Sequence, residues 1–142
     1  MTSFPISGTK KDRLSRGKHM ETSFTLDSAG KLRARTKTWS TSETTGFTGG
    51  VIVVLTDENK NELWFSEIHR YGVNGKWVPG GPDERIESWE ESVSTDILSR
   101  VRAYAIIHQH TPTNRVFKGV KEFLKSEEGQ ALIAKAIVWL AA

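Results

Sequence analysis

Apolar and polar positions outline a β-rich chain. Val51–Leu55 is a run of five apolar residues, four of them β-branched, bounded by Gly49-Gly50 and by the polar stretch Asp57–Asn61. Such a run fits a strand covered on both faces. Glu62–His69 reads as its returning partner in a hairpin. Upstream, Ser23–Leu26 and Lys31–Trp39 flank Asp27-Ser28-Ala29-Gly30, whose residue types suit a turn and predict a first hairpin. Tyr71–Pro82, rich in Gly and Pro, reads as a loop containing the tight-turn pair Asn74-Gly75.

The acidic segment Asp83–Ser94 admits a helix with Ile86, Trp89 and Val93 on one face. We read it instead as loop or strand, followed by a short helix over Thr95–Val101 that begins at Ser94-Thr95-Asp96. Arg102–His110 reads as a strand ended by Thr111-Pro112-Thr113. From Asn114, a plausible N-cap, to Ala142, apolar residues recur three and four apart through Val116, Phe117, Val120, Phe123 and Leu124. Leu132, Ile133, Ala136, Ile137 and Leu140 continue the stripe, with Gly129 dividing two helices. The pattern predicts an α+β fold: an antiparallel β-sheet or small β-sandwich of about five or six strands, with C-terminal helices packed on it.

Composition bounds the class. The length of 142 residues suits one domain, read as 21–142, and the absence of cysteine removes disulfides and thiolate metal sites. No run reaches the length of a membrane span, and residues 1–20 lack the apolar stretch of a secretory signal, so the expectation is a soluble, cytoplasmic protein. Of the net charge of +3, the first 20 residues carry Lys10, Lys11, Arg13, Arg16 and Lys18 against Asp12. Poor in apolar residues, this segment reads as a disordered basic tail, with Gly17–Met20 resembling a cloning junction or an alternative start.

Three surfaces are candidates for function. On a strand, Lys31, Arg33, Arg35, Lys37 and Trp39 share one face by period two, a row of cations beside an indole. With Trp77 in its Gly/Pro loop, this face predicts a binding or interaction module for an anionic or polar ligand, nucleic acid included. The plainer reading is an outward face whose cations are satisfied by acids such as Glu62. Second, His108 and His110 are two apart and, with His69 and Glu67, could ligate a divalent metal such as zinc, in a metal-binding protein or a metal-dependent enzyme. Third, the apolar segment Gln130–Ala142 could pack on the sheet, lie on a membrane surface, or mediate homo-oligomerisation.

Catalytic signatures are weak. The chain contains no GxSxG elbow and no phosphate-binding glycine loop. The acids of Asp83–Glu91 read as an exposed segment, since acid–base work needs a desolvated carboxyl group. On these grounds the chain reads as a binding protein rather than an enzyme.

Overall fold

The computed structural model describes residues 3–110 and 120–140. Two antiparallel sheets face each other across a shared apolar core. The first joins β1 (Ile6–Ser15), β2 (Lys18–Leu26), β3 (Lys31–Ser40) and β7 (Glu84–Ser92) in the order β1-β2-β3-β7. The second is centred on β4 (Phe47–Thr56). One edge of β4 pairs with both β5 (Glu62–Phe65) and β6 (His69–Val73); the other pairs with β8 (Ala103–His110), which β9 (Val138–Trp139) extends. Helix α1 (Thr95–Leu98) links β7 to β8, and α2 (Val120–Lys125) and α3 (Glu127–Ala136) follow β8. This is the expected α+β, sandwich-like class, with nine strands among the described residues rather than five or six.

The run Val51–Leu55 forms the middle of β4 and is fully buried. Period-two geometry divides it between two cores. Val51, Val53 and Leu55 face the first sheet, among Phe24, Leu26, Leu32, Tyr104 and Ile106. Ile52 and Val54 face the opposite way, onto Ala105, Ile107 and the helix residues Leu124 and Ile133. The C-terminal helices therefore cover the second sheet. The predicted N-cap Asn114 and the positions Thr111–Phe117 lie outside the described residues. Among those described, no helix is long and apolar enough to cross a membrane.

The first hairpin forms as predicted. Asp27 Oδ1 accepts from the N–H groups of Ala29 and Lys31 at 3.0 and 2.9 Å. Gly30 closes the turn at φ +89°, and a Cβ there would lie 2.1 Å from the Val93 carbonyl oxygen, so only glycine fits. Gly8 serves packing instead: a Cβ would fall 2.4 Å from the Tyr104 ring, which occupies the space.

Three expectations are corrected. Residues 6–15, expected to be disordered, form β1, paired with β2 from Ile6↔Leu26 to Ser15↔Lys18. An edge strand needs little apolar content when its inward polar residues find partners, and Lys10 and Asp12 do so. The return arm of the second hairpin breaks at Ser66, whose buried Oγ accepts from Val53 N–H at 3.0 Å before β6 resumes pairing. The C-terminal stripe also does not remain helical. After Ala136 the β-branched pair Ile137-Val138 turns extended, and Val138–Trp139 pairs with Tyr104 and Ala103.

Because Leu124 and Ile133 fill the second core at 0% and 1% exposure, Leu124→Ala and Ile133→Ala should each cost about 2–5 kcal/mol. Urea denaturation followed by circular dichroism measures this. An unchanged midpoint would mean that the helices only dock on the sheet.

Candidate functional site

The basic ladder lies on the outward face of the first sheet. Leu32, Ala34, Thr36 and Thr38 of β3 are buried beneath it, while Lys31, Arg33, Arg35, Lys37 and Trp39 point away from the core. Strand β7 runs beside β3 in the register Arg33↔Glu90, Arg35↔Ser88, Lys37↔Ile86, Trp39↔Glu84. Its outward acids meet the cations. Lys31 and Arg33 reach Glu90 at 3.6 Å, Arg33 also approaches Asp27 at 3.9 Å, and Lys37 reaches Glu84 at 3.1 Å. The acids thus come from β7 and the first turn, not from Glu62, which lies on β5 in the other sheet. Each exposed pair adds little stability, yet together they neutralise most of the ladder.

Arg35 differs from its neighbours. Among the described residues its guanidinium has no ion pair. Its cross-strand neighbours are Ser23 and Ser88, and Thr9 lies beyond Ser23, hydrogen-bonded to it at 3.0 Å. One row of the sheet is therefore three hydroxyls and a guanidinium. Arg35 borders a hollow of about 540 Å³, whose wall includes Ser23, Thr25, Arg33, Ser88 and Glu90. It also borders a smaller one of about 240 Å³ with Glu21, Lys37 and Ile86.

Trp39 is less available than its sequence position suggests. His19 stacks on it at 5.1 Å, and Lys37 and Lys11 lie over its ring at 4.7 and 5.6 Å. Burial, then the charges of Arg13 and Lys11, pushes the His19 imidazole below its ordinary range, so it adds no positive charge to the face near neutrality. Trp77 is 72% exposed on the loop between β6 and β7. That loop is fastened to the 41–46 connection through Lys76 N–H to Ser42 O and Trp77 N–H to Glu43 O, both 2.8 Å. Among the described residues no ring contact or ion pair joins its indole to the ladder.

The proposed metal shell does not assemble. His69 and His108 flank Val51 in register, one on β6 and the other on β8. With β4 between them, each histidine takes a different carboxylate. His69 Nε2 lies 2.7 Å from Glu91 Oε2 and its ring stacks on Trp89 at 4.0 Å. His108 Nδ1 lies 2.7 Å from Asp12 Oδ2. His110 sits edge-on to Phe47, 6.4 Å away. Glu67 offers its backbone N–H to Glu91. No group of three or more metal-ligating side chains converges among the described residues.

His108 instead belongs to a buried hydrogen-bond chain that the sequence pattern does not announce. Trp89 Nε1–H donates to Thr36 Oγ1 at 3.1 Å, Thr36 and Thr22 share a bond of 2.9 Å, and Thr22 Oγ1 lies 2.8 Å from His108 Nε2. Trp89 can only donate and the Asp12 carboxylate can only accept, so hydrogen bonds running one way along the line satisfy every group: Thr36 donates to Thr22, and Thr22 donates to His108 Nε2. That requires a neutral imidazole protonated at Nδ1, which donates to Asp12. Burial, against the opposing influence of Asp12, likewise pushes the His108 pKa down. Burial also resists ionisation of Asp12, but the His108 hydrogen bond and the neighbouring charges outweigh it and hold the carboxyl below its usual range. Lys10 adds an ion pair to Asp12 at 3.6 Å.

Asp12, His108 and Thr22 share the order and spacing of a hydrolytic carboxylate–imidazole–hydroxyl triad. Thr22, however, is fully buried and its oxygen already engages Thr36. A sealed hydroxyl cannot meet a substrate, so the arrangement acts as a strut between the sheets. No family model matches this chain, and comparison with curated proteins and with solved structures returns no match.

Thr22→Val keeps the shape but strands His108 Nε2 and the Thr36 hydroxyl, at an expected cost of about 1–3 kcal/mol in thermal or urea unfolding. Stability should also fall as the pH drops. The unfolded chain protonates its histidines near pH 6.5, about the ordinary value, whereas folded His108 resists protonation and the folded state binds fewer protons. His108→Gln should flatten this limb between about pH 7 and pH 5. His19→Gln should flatten it less, because His19 is far less buried. Asp12 adds a further loss of the same sign below about pH 4.

Proposed function

We propose that the chain is a non-catalytic binding module whose outward sheet face receives a small oxyanion carried on a hydroxyl-rich body, the chemistry of an acidic saccharide. One observation carries this reading: among the described residues Arg35 has no acid partner, in the middle of a ladder whose other cations do, and it sits in a row of hydroxyls beside a hollow of about 540 Å³. A guanidinium presents paired N–H donors that match a carboxylate or sulfate. Ser23, Ser88 and Thr25 can each donate or accept, as sugar hydroxyls require. The hollow falls within the usual volume range of small-molecule sites.

Charge balance favours such a ligand over nucleic acid. A polyanion draws affinity from many phosphate contacts at once. Here Lys31, Arg33 and Lys37 are already opposed by Glu90, Asp27 and Glu84, and a phosphate chain would meet those carboxylates. A single oxyanion at Arg35 meets only Glu90 of these on the wall of the hollow, and Glu90 is already paired with Lys31 and Arg33.

Calorimetric titration with oligogalacturonate and with neutral galactose oligomers tests the proposal. The acidic sugar should bind and the neutral one bind far less. Arg35→Gln should weaken binding at least about tenfold, and Arg35→Glu should abolish it. Arg33→Gln should matter less, because its charge is already engaged. Salt dependence should be shallow, reflecting about one ionic contact. Unchanged affinity in Arg35→Glu would overturn the assignment. So would tight duplex binding with a salt slope of about three or more.

A further inference from the structure

We infer that the open side of the sandwich holds a second site, for a small amphipathic carboxylate, independent of the Arg35 face. The first sheet ends at β1. Among the described residues, the edge of β8 that faces it pairs with another strand only at Ala103 and Tyr104, with β9. Lys10 Nζ reaches across this gap to the Ile106 carbonyl oxygen at 3.1 Å, taking one of the backbone acceptors that an open edge strand exposes. Beyond that bridge, β1, the end of β8 and α3 enclose a cleft of about 570 Å³.

The lining divides by chemistry. Leu14, Ile107 and Leu132 bring one apolar side chain each from β1, β8 and α3, and the exposed Arg13 and Lys135 border the cleft at its rim, Arg13 on the outward parity of β1 it shares with Lys11. Among the described residues the only carboxylate on the wall, Asp12, is already balanced by Lys10 and by the His108 N–H. Arg13 and Lys135 have no ion pair among the described residues. The rim of the cleft therefore carries uncompensated positive charge next to an apolar lining. Inorganic phosphate would satisfy the cations and leave the apolar wall wet; a neutral lipid would do the reverse. A carboxylate on a hydrocarbon body satisfies both. Each part of such a ligand then meets matching surface, as in most small-molecule sites.

The test is an amide-resonance titration of the full chain with octanoate, octanol and inorganic phosphate separately. Octanoate should shift resonances at Leu14, Ile107 and Leu132, with octanol at least about tenfold weaker and phosphate without saturable effect at those positions. The double reversal Arg13→Glu/Lys135→Glu should weaken octanoate about tenfold or more. Leu132→Trp, at a half-buried position, should fill the cleft and block binding while leaving the melting temperature near that of the parent. Three results would overturn the inference: no octanoate binding, equal binding of octanol, or phosphate saturating the same residues. Octanoate shifts confined to Ser23, Arg35 and Ser88 would overturn it too, and would leave the Arg35 site standing. Loss of acidic-sugar binding in Arg35→Glu with octanoate binding retained would keep the two sites distinct.

Discussion

The hydrogen-bond chain through the interior is the constraint on which the rest depends. An apolar sandwich core tolerates many small shifts of one sheet over the other, because dispersion and area burial are not directional. A buried hydroxyl or imidazole does not, since each unpaired polar atom costs about 1–3 kcal/mol. Trp89, Thr36, Thr22, His108 and Asp12 form a line that starts at a group able only to donate, ends at one able only to accept, and passes through three that do both. Sliding the sheets by one residue would break several of these bonds together. On the other flank, His69 ties β6 to β7 through Glu91 and the Trp89 ring. The same indole thus anchors both ties, stacking on His69 and donating the first hydrogen bond of the line that ends at His108 and Asp12.

This constraint also shapes the outer surface. Fixing Trp89 and Thr36 inward sets the parity of β7 against β3, because in antiparallel pairs opposite residues share a face. With that parity Glu84 and Glu90 must emerge beside Lys37 and Arg33, and Ser88 beside Arg35. The pairing pattern of the ladder is therefore a consequence of core register. Arg35 is left without an acid because the position opposite it holds serine, and Ser23 stands on its other side.

What was legible in the sequence was local. The alternation of Lys31 to Trp39 is readable because side chains alternate faces within any strand, whatever lies beside it. The Asp27–Gly30 turn and the fully covered Val51–Leu55 strand were readable for the same reason. The partners were not. Glu84 and Glu90 lie some fifty residues from the ladder, and the tie between His108 and Asp12 spans 96 positions. The pairing of β7 with β3 was what brought these acids to the cations, and nothing in the spacing of the acids themselves announced it. The three histidines did share one sheet, but the strand Val51 belongs to divides His69 from His108. One signal was present and passed over. Thr22 and Thr36 occupy inward positions beside Phe24 and Ala34, and a hydroxyl at an otherwise apolar parity marks a buried polar contact. Residues 6–15 carry no such signal, because their inward polar groups are held by partners across the gap on β8, which a count of apolar residues cannot register.

Strand β1 shows how one element serves surfaces that do not communicate through the core. Its inward Lys10 and Asp12 complete the strut to His108 and bridge the gap to β8. Thr9 joins the hydroxyl row at Arg35, and Lys11 lies over the Trp39 ring on the outward face. Arg13 and Leu14, at its far end, line the cleft beside α3. A sequence so polar gains little from burying itself, so its place is set by these specific partners and by its backbone pairing with β2. The dependence runs both ways. Asp12 needs the imidazole of β8 to offset its burial, and the open edge of β8 needs Lys10. The two sheets are therefore joined by polar groups along both sides, through Asp12 and His108 here and through His69 and Glu91 on the other flank. On this side the cleft opens beyond the Lys10 bridge, between β1, the end of β8 and α3.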